Sequence, residues 1–280
     1  MATRADVLRE LGLLPVWRLR AKPAPSRGIV GVEPIEPRPT SAGENAGPSA
    51  RRPPSSPRMP AAVVPESQPA TAADARLQRI AALEWKAFAA DVDACTACGL
   101  CRTRNKSVPG VGDARAQWLF VGEAPGAEED AKGEPFVGQA GRLLDSMLAA
   151  IGMRRGENVY IANVLKCRPP GNRTPEPMEA EACRPYLDRQ IALIAPRLIV
   201  ALGRSAATTL LNLDATIASL RGRVHRYRGV PLVVTYHPAY LLRNLPDKAK
   251  AWEDLCLARA TLRRLQEGPG PSSERGSASG

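Results

Sequence analysis

Short apolar runs alternate with helical patterns from about residue 72 onward. Four apolar runs are predicted as strands: Trp118 to Val121, Val159 to Leu165, Leu198 to Leu202 and Val230 to Thr235. Apolar residues at helical spacing occupy the segments between and around them: Leu77 to Val92, Gly141 to Ile151, Pro177 to Ile194, Ser205 to Leu211 and Lys248 to Leu265. Strands buried on both faces are continuously apolar. The pattern therefore predicts an α/β fold, a three-layer α/β/α sandwich with a central, mainly parallel sheet.

Polar or conformationally special residues follow the predicted strands. They are Gly122-Glu123, Asn163, Gly203 and His237. In open α/β sheets, ligands bind beyond the carboxyl ends of the strands. These positions are therefore predicted to form a functional site at that end of the sheet.

Composition divides the 280-residue chain into unequal parts. Residues 21–70 hold 12 of the 27 prolines and no aromatic residue, so they cannot bury enough apolar area to offset their conformational entropy. We expect a short, helix-like N-terminal peptide over 1–20, a disordered linker over 21–71, one domain over 72–266 and a disordered tail over 267–280. The N-terminal peptide is either a docking segment for a protein partner or a poorly ordered terminus.

The formal net charge of +11 suggests a polyanionic partner, although charge alone does not separate DNA from RNA or a membrane surface. No apolar run reaches the roughly 18–20 residues of a membrane span. The first 20 residues also lack the apolar region and cleavage site of a signal peptide. We therefore expect a cytoplasmic protein without a membrane segment.

Six cysteines in such a chain indicate metal ligands or buried thiols rather than disulfides. Cys95, Cys98 and Cys101 form a C-x2-C-x2-C group. Cys167 follows a predicted strand and Cys183 lies in a predicted helix. Cys256 falls in an apolar helix as a core thiol. Four converging thiolates suit structural zinc or a 4Fe-4S cluster. Spacing alone slightly favours zinc, and incidental thiols are the remaining alternative.

Three motifs in order, together with the cysteine spacing, resemble family 4 uracil-DNA glycosylases. They are Gly122-Glu123-Ala124-Pro125-Gly126 with Gly133-Glu134-Pro135-Phe136-Val137-Gly138, then Asn163-Val164-Leu165-Lys166-Cys167-Arg168-Pro169-Pro170, then His237-Pro238-Ala239-Tyr240-Leu241-Leu242-Arg243. The resemblance covers about Cys95 to Leu265. It implies a monofunctional hydrolase of DNA base excision repair, acting as a monomer on uracil-containing DNA and leaving an abasic site.

The resemblance also implies a structural 4Fe-4S cluster held by Cys95, Cys98, Cys167 and Cys183. This reverses the preference for zinc that spacing alone gave. Cys101 is an extra thiol beside the usual first pair, and it either replaces a neighbour as ligand or stays free.

Roles in base recognition follow from the same motifs. Phe136 would stack on the extruded base, and Asn163 would pair with uracil O4 and N3–H. Glu129 would crowd the C5 position, which excludes the methyl group of thymine. His237 would donate a hydrogen bond to O2 as negative charge develops there. The alternatives are core filling for Phe136, a turn for Asn163, an acidic patch for Glu129 and a backbone-satisfied His237.

Water activation and DNA binding rest on fewer residues. Ala124 stands where better-known uracil-DNA glycosylases have an aspartate, so either Glu123 or backbone groups near Ala124 would position the water. Leu241 would be an apolar wedge in the vacated base stack, or else a core leucine. Arg243 would contact a phosphate, or else lie on a solvated basic face.

Two enzyme relatives and one binding function compete with this prediction. No histidine lies between Cys167 and Cys183, which disfavours the related group that attaches covalently to DNA through a histidine. Family 5 relatives lack the motif glutamate that is present here as Glu123. A non-catalytic iron-sulfur protein that only binds DNA remains the alternative outside enzymes.

Overall fold

The computed structural model describes residues 72–267. The predictions for the peptide 1–20 and the linker 21–71 lie outside the described residues. So does the predicted tail 267–280, apart from Glu267, which ends the last helix.

Within the described residues, helices and strands alternate as the sequence predicts. The helices are α1 Ala72–Ala82, α2 Trp85–Asp93, α3 Ala127–Lys132, α4 Gln139–Ala150, α5 Pro177–Ile194, α6 Arg204–Leu211, α7 Ile217–Leu220, α8 Pro238–Arg243 and α9 Lys248–Glu267. The strands are β1 Val111–Gly112, β2 Trp118–Gly122, β3 Val159–Asn163, β4 Leu198–Leu202, β5 Val224–Tyr227 and β6 Val230–Thr235. Short 3-10 turns cover Gly99–Arg102, Pro170–Asn172 and Leu245–Asp247.

The six strands of the described chain form one sheet in the order β1-β3-β2-β4-β6-β5. The four inner strands are parallel, whereas β1 and β5 pair antiparallel at the two edges. The register places Gly122 opposite Asn163 and Leu202 opposite Thr235. The carboxyl ends of the inner strands therefore meet at one end of the sheet.

Alternate residues of the inner strands face two separate apolar cores. On one side, Phe120, Ile161 and Val200 pack with residues of α4, α8 and α9. On the other side, Val121 and Ile199 pack with residues of α5 and α6. All five of these strand side chains are fully buried, and each such burial contributes roughly 1.5–3 kcal/mol. The α/β/α layering and the mainly parallel sheet are confirmed.

The differences from the predicted elements are local. The predicted helix Leu77 to Val92 is two helices, because the chain breaks at Leu83 and Glu84 between α1 and α2. Strand β3 ends at Asn163, two residues before the predicted end. The edge strands β1 and β5 were not predicted: β1 has only two residues, and β5 is mostly exposed and carries charge.

Helix α5 begins where its sequence specifies a start. Pro177 occupies the first turn, and the carboxylate of Glu179 accepts a hydrogen bond from the backbone N–H of Glu176 at 2.9 Å. Arg173 fixes the same carboxylate through contacts of 2.6 and 2.9 Å.

Among the described residues, none of the helices has the length and apolar character needed to cross a membrane.

Candidate active site

The carboxyl ends of the inner strands bring together residues from all three motifs. Gly122 ends β2 and Asn163 ends β3, while His237 lies two residues beyond the end of β6. The backbone N–H of Gly203, just after β4, donates to the carbonyl of Thr235 at 2.8 Å. Residues that are far apart in sequence thus share one small region.

Gly122, Phe136, Asn163 and His237 lie against one another at this end of the sheet, and we call this cluster the strand-end pocket. The rings of Phe136 and His237 stack, with centroids 5.4 Å apart and planes inclined by 30°. A Cβ atom on Gly122 would lie 2.6 Å from Cζ of Phe136 and would also collide with Oδ1 of Asn163. The glycine therefore permits the aromatic ring and the amide to meet over the strand end.

Asn163 carries an unsatisfied polar atom into this pocket. The residue is 1% exposed, and its Oδ1 is one of two buried side-chain polar atoms in the described part of the chain that lack a hydrogen-bond partner. Leaving such an acceptor unpaired costs about 1–3 kcal/mol. The amide is therefore poised for a polar ligand that presents an N–H group.

His237 is held as a neutral ring with a defined proton position. Its Nδ1 accepts a hydrogen bond from the backbone N–H of Ala239 at 3.2 Å, which caps α8. The proton of the neutral ring is therefore on Nε2. Burial lowers the pKa of His237 to about 4, the positive charge of Arg243 acts in the same direction, and Glu129 opposes both. At neutral pH the ring offers an Nε2–H donor without a positive charge.

Phe136 has a strained backbone that its neighbours stabilise. Its φ is +54°, in the left-handed region. The Arg155 guanidinium donates to the carbonyls of Pro135 and Phe136, both at 2.8 Å. A Cβ atom on Gly141 would overlap the carbonyl of Phe136, so α4 also approaches this residue closely. Sequence reasoning did not single out either neighbour; a glycine inside a predicted helix was the available signal for Gly141.

Glu129, in α3, binds the backbone at both ends of the segment from Gly126 to Gly138. Its Oε1 accepts from the N–H groups of Val137 at 2.9 Å and Gly138 at 3.2 Å, and its Oε2 accepts from the N–H of Gly126 at 3.0 Å. The carboxylate therefore closes the segment that carries Phe136. The predicted crowding of a ligand by Glu129 stays a prediction.

Glu123 lies beside the pocket, on an open cavity of about 610 Å³ that Ser205 and His237 also line. Burial raises the pKa of Glu123, and a hydrogen bond with Ser205 opposes that rise. Ser205 was not predicted as a site residue. The adjacent Ala124 packs on the other side, against the apolar cluster around Leu165.

Helix α8 buries the first of its two leucines. Leu241 is 1% exposed and belongs to the apolar core, which favours the core-leucine alternative over the wedge. Helical geometry turns the neighbouring Leu242 outward, where it is 41% exposed. Arg243 is exposed on the same helix, as a phosphate contact requires.

Five cysteines line one small cavity beside α5 and β3: Cys95, Cys98, Cys101, Cys167 and Cys183. All are free thiols, and Cys256 is not among the lining residues. Cys167 is buried, as its predicted ligand role requires, and Cys256 is half-buried in α9. The cavity brings both remote cysteines to the C-x2-C-x2-C group.

Hydrogen-bond donors surround these sulfur atoms. Arg104 donates to Sγ of Cys167 at 2.9 Å, and the backbone N–H of Lys166 donates to Sγ of Cys183 at 3.3 Å. Arg76 lies 3.8 Å from Sγ of Cys95. Burial raises the pKa of Cys183 to about 12, so a cationic centre is needed to keep this thiol deprotonated.

The donor set fits an iron-sulfur cluster. Within residues 72–267, no three Cys, His, Asp or Glu side chains converge closely enough to share a single metal ion. A cluster does not need such convergence, because its cysteines bind separate iron atoms. Sulfur ligands with N–H donors around them are typical of such sites. The geometry leaves Cys101 as a possible alternative to its neighbours.

Comparison with known proteins agrees with this geometry. Residues 109–256 match the family described as "Uracil DNA glycosylase superfamily". The type-4 uracil-DNA glycosylase of Archaeoglobus fulgidus is 51% identical over 160 residues, which cover 54% of this chain and 80% of that protein. The type-4 enzyme of Pyrobaculum aerophilum is 46% identical over 171 residues, covering 58% and 87%.

The type-5 uracil-DNA glycosylase of Pyrobaculum aerophilum is less similar, at 34% identity over 156 residues, covering 50% of this chain and 69% of that protein. The prediction of family 4 rather than family 5 is thereby confirmed. The chain belongs to the uracil-DNA glycosylase superfamily and, within it, to the type-4 family.

Proposed function

We propose that this chain hydrolyses the N-glycosidic bond of uracil in DNA and leaves an abasic site. The observation that carries the proposal is the buried, unpartnered Oδ1 of Asn163 in the cluster that also holds the stacked rings of Phe136 and His237. Uracil presents an N–H group between two carbonyl oxygens and a flat face, which match these three side chains. The type-4 relatives are named for the same activity.

Base recognition begins with an extruded nucleotide. Oδ1 of Asn163 accepts from uracil N3–H, and the amide nitrogen donates to O4. Phe136 provides the stacking face. Cytosine lacks the N3–H group and carries an amino group in place of O4, so it would leave the Asn163 amide mismatched.

Bond cleavage places negative charge on the base. The electron pair of the C1′–N1 bond moves onto uracil, and Nε2–H of His237 donates to O2 as charge accumulates there. One preorganised donor of this kind contributes about 10²–10³ in rate. A neutral donor suffices, which agrees with the lowered pKa of His237.

Water completes the hydrolysis at C1′. Its oxygen bonds to C1′, and the proton it loses passes to Glu123 and then to solvent, while the departing base takes a proton from water. Burial raises the pKa of Glu123, which makes its carboxylate a stronger proton acceptor. Ser205 orients this carboxylate, and the backbone at Ala124 borders the water position.

Thymine is excluded at the segment from Gly126 to Gly138. Glu129 was predicted to crowd the C5 position, and its three backbone contacts hold the carboxylate and this segment in place. We propose that together they leave no room for a methyl group. Leu242 replaces Leu241 as the candidate wedge, because Leu241 is buried. Arg243 contacts a backbone phosphate.

A 4Fe-4S cluster bound by Cys95, Cys98, Cys167 and Cys183 would join segments from distant parts of the chain. When bound, it supplies a structural cross-link and local charge. Every step above is carried out by the side chains already named. The monomeric state, the cytoplasmic location and a protein partner for residues 1–20 stay predictions.

The test uses the full chain and matched oligonucleotides that carry one uracil, thymine or cytosine. We expect alkali-dependent strand cleavage with uracil alone. Intact strands before alkali establish that the enzyme is monofunctional. Asn163→Ala should bind the product abasic DNA normally but excise uracil far more slowly, at a residual rate that single-turnover assays still measure.

Two results would contradict the proposal. DNA binding without excision, by a chain that contains its iron, would favour the non-catalytic binding protein. Equal cleavage with thymine would remove the argument for methyl exclusion.

A further inference from the structure

Lys166 is a fully buried lysine that connects the base pocket to the cysteine site. It is 1% exposed and directly precedes Cys167. Its Nζ donates to the backbone carbonyl of Asn163 at 2.8 Å and to Oε1 of Gln190 at 2.7 Å. No step of the proposed mechanism uses this side chain.

Gln190 is held in place so that its oxygen faces the lysine. The residue is fully buried, and its Nε2 donates to the carbonyl of Pro109 at 2.7 Å and to the hydroxyl of Tyr160 at 3.1 Å. These two bonds fix the orientation of the amide. The lysine contact with Asn163 is therefore part of a fixed, buried network.

Lys166 also borders the cysteine site. It lines the small cavity that the five cysteines share. Its backbone N–H donates to Sγ of Cys183 at 3.3 Å. One buried residue therefore lies against both the cysteine site and the strand end that carries Asn163.

The Asn163 strand end is also fixed from its other side. The N–H of Val164 donates to the carbonyl of Gly122 at 2.9 Å, and the N–H of Leu165 donates to the carbonyl of Glu123 at 3.0 Å. These bonds join β3 to the first motif. Lys166 adds a contact to the carbonyl of Asn163 itself, the residue whose side chain faces the base.

We propose that Lys166 is a positioning residue for uracil recognition, which fixes Asn163 through a hydrogen bond to its backbone carbonyl. The inference rests on the proposed function and deepens it. Misplacing a recognition group by about 1 Å is enough to cost roughly a hundredfold in rate.

The test compares Lys166→Met with the parent chain and with Lys132→Met, which removes a lysine from the exposed end of α3. Iron content and the visible absorption of the cluster are measured first. Single-turnover excision and inhibition by free uracil follow. We expect Lys166→Met to keep its iron, to excise roughly 10- to 100-fold more slowly and to lose inhibition by uracil, whereas Lys132→Met matches the parent.

A double-mutant cycle with Asn163→Ala separates positioning from general damage. If Lys166 acts through Asn163, Lys166→Met causes no further loss in the Asn163→Ala background. Multiplicative losses, or parental excision and uracil inhibition in Lys166→Met, would overturn the proposal.

A second variant covers the case in which Lys166→Met fails to assemble the cluster. Lys166→Arg keeps the charge but cannot reproduce the single Nζ contact. We expect Lys166→Arg to contain iron and to show the cluster absorption. Its excision should stay slow, with no further loss in the Asn163→Ala background. Excision at the parental rate would overturn the positioning role. Absence of excision by the iron-containing parent would instead refute the proposed function, and this is established before any variant is compared.

Discussion

Replacing His237 with alanine tests whether a neutral imidazole stabilises the departing base. The substitution removes the Nε2–H donor and the Nδ1 cap of α8. Loss of one preorganised donor slows excision by about 10²–10³. Loss of a helix cap costs roughly 1 kcal/mol of stability, which the folded chain tolerates. We expect excision to fall while abasic-DNA binding and the iron content are unchanged.

The pH dependence of folding stability gives a second, independent test of the neutral His237. The pKa of His237 falls from its ordinary value of 6.5 to about 4, mainly through burial. At about 1.4 kcal/mol per unit, protonating the folded site costs roughly 3 kcal/mol. Because the folded pKa lies below the unfolded value, this stability is fully present above pH 6.5. It is lost as the pH falls toward 4, a loss that His237→Ala avoids.

Two measurements check this reasoning. The chain has two histidines, so His225→Gln leaves His237 as the one imidazole signal for an NMR titration that gives both its pKa and its tautomer. Single-turnover excision is measured from pH 5 to 8, and we expect no inflection near pH 6.5. A pKa near 6.5 with faster excision in acid would refute the neutral donor and indicate an imidazolium acid.

Five further variants follow from the contacts. Gly122→Ala should cost ~1–3 kcal/mol through overpacking and abolish measurable uracil inhibition, because its Cβ meets the aromatic ring and the amide of the pocket. Arg155→Ala frees two carbonyls of the aromatic loop and should slow excision about tenfold with unchanged iron content. Arg243→Gln should weaken DNA binding and reduce the salt slope by about 0.7–0.9, as measured by fluorescence anisotropy. Leu241→Ala should lower stability by ~2–5 kcal/mol, whereas Leu242→Ala should leave thermal unfolding unchanged and slow excision from duplex DNA; the reverse pattern would restore the original wedge assignment.

The central elements were predictable because one dominant interaction specifies each of them. Strands β4 and β6 and helix α5 have the predicted bounds, since continuous apolar runs and a proline-started helix leave few alternatives. Strand β5 was missed because an edge strand exposes one face and carries charged residues there. The pairing of an edge strand depends more on the strand beside it than on burial of its own side chains. Its own hydrophobic pattern does not show which strand that is.

The residues of the candidate site also fall into predicted ones and missed ones. Asn163, Phe136 and His237 were predicted from strand ends and motifs, and the structure brings them together. Arg155 and Lys166 were missed because their roles depend on backbone carbonyls, which have no sequence signature. Leu241, predicted as a wedge or a core residue, lies in the core because the face of a short helix depends on how the helix packs, a property its sequence does not fix.

The groups that meet at the strand ends share one electrostatic property: they are neutral before the reaction. Asn163 and Phe136 have no charge, and burial keeps His237 neutral. The charged side chains lie outside this group. Glu123 lines the open cavity, and Lys166 contacts the backbone carbonyl of Asn163. A neutral base therefore gains little electrostatic stabilisation on entering, whereas the donors strengthen as it becomes an anion. Interactions that grow toward the transition state are the ones that accelerate bond cleavage. In the proposed mechanism, the neutral His237 therefore donates a hydrogen bond that strengthens as negative charge develops on the departing uracil.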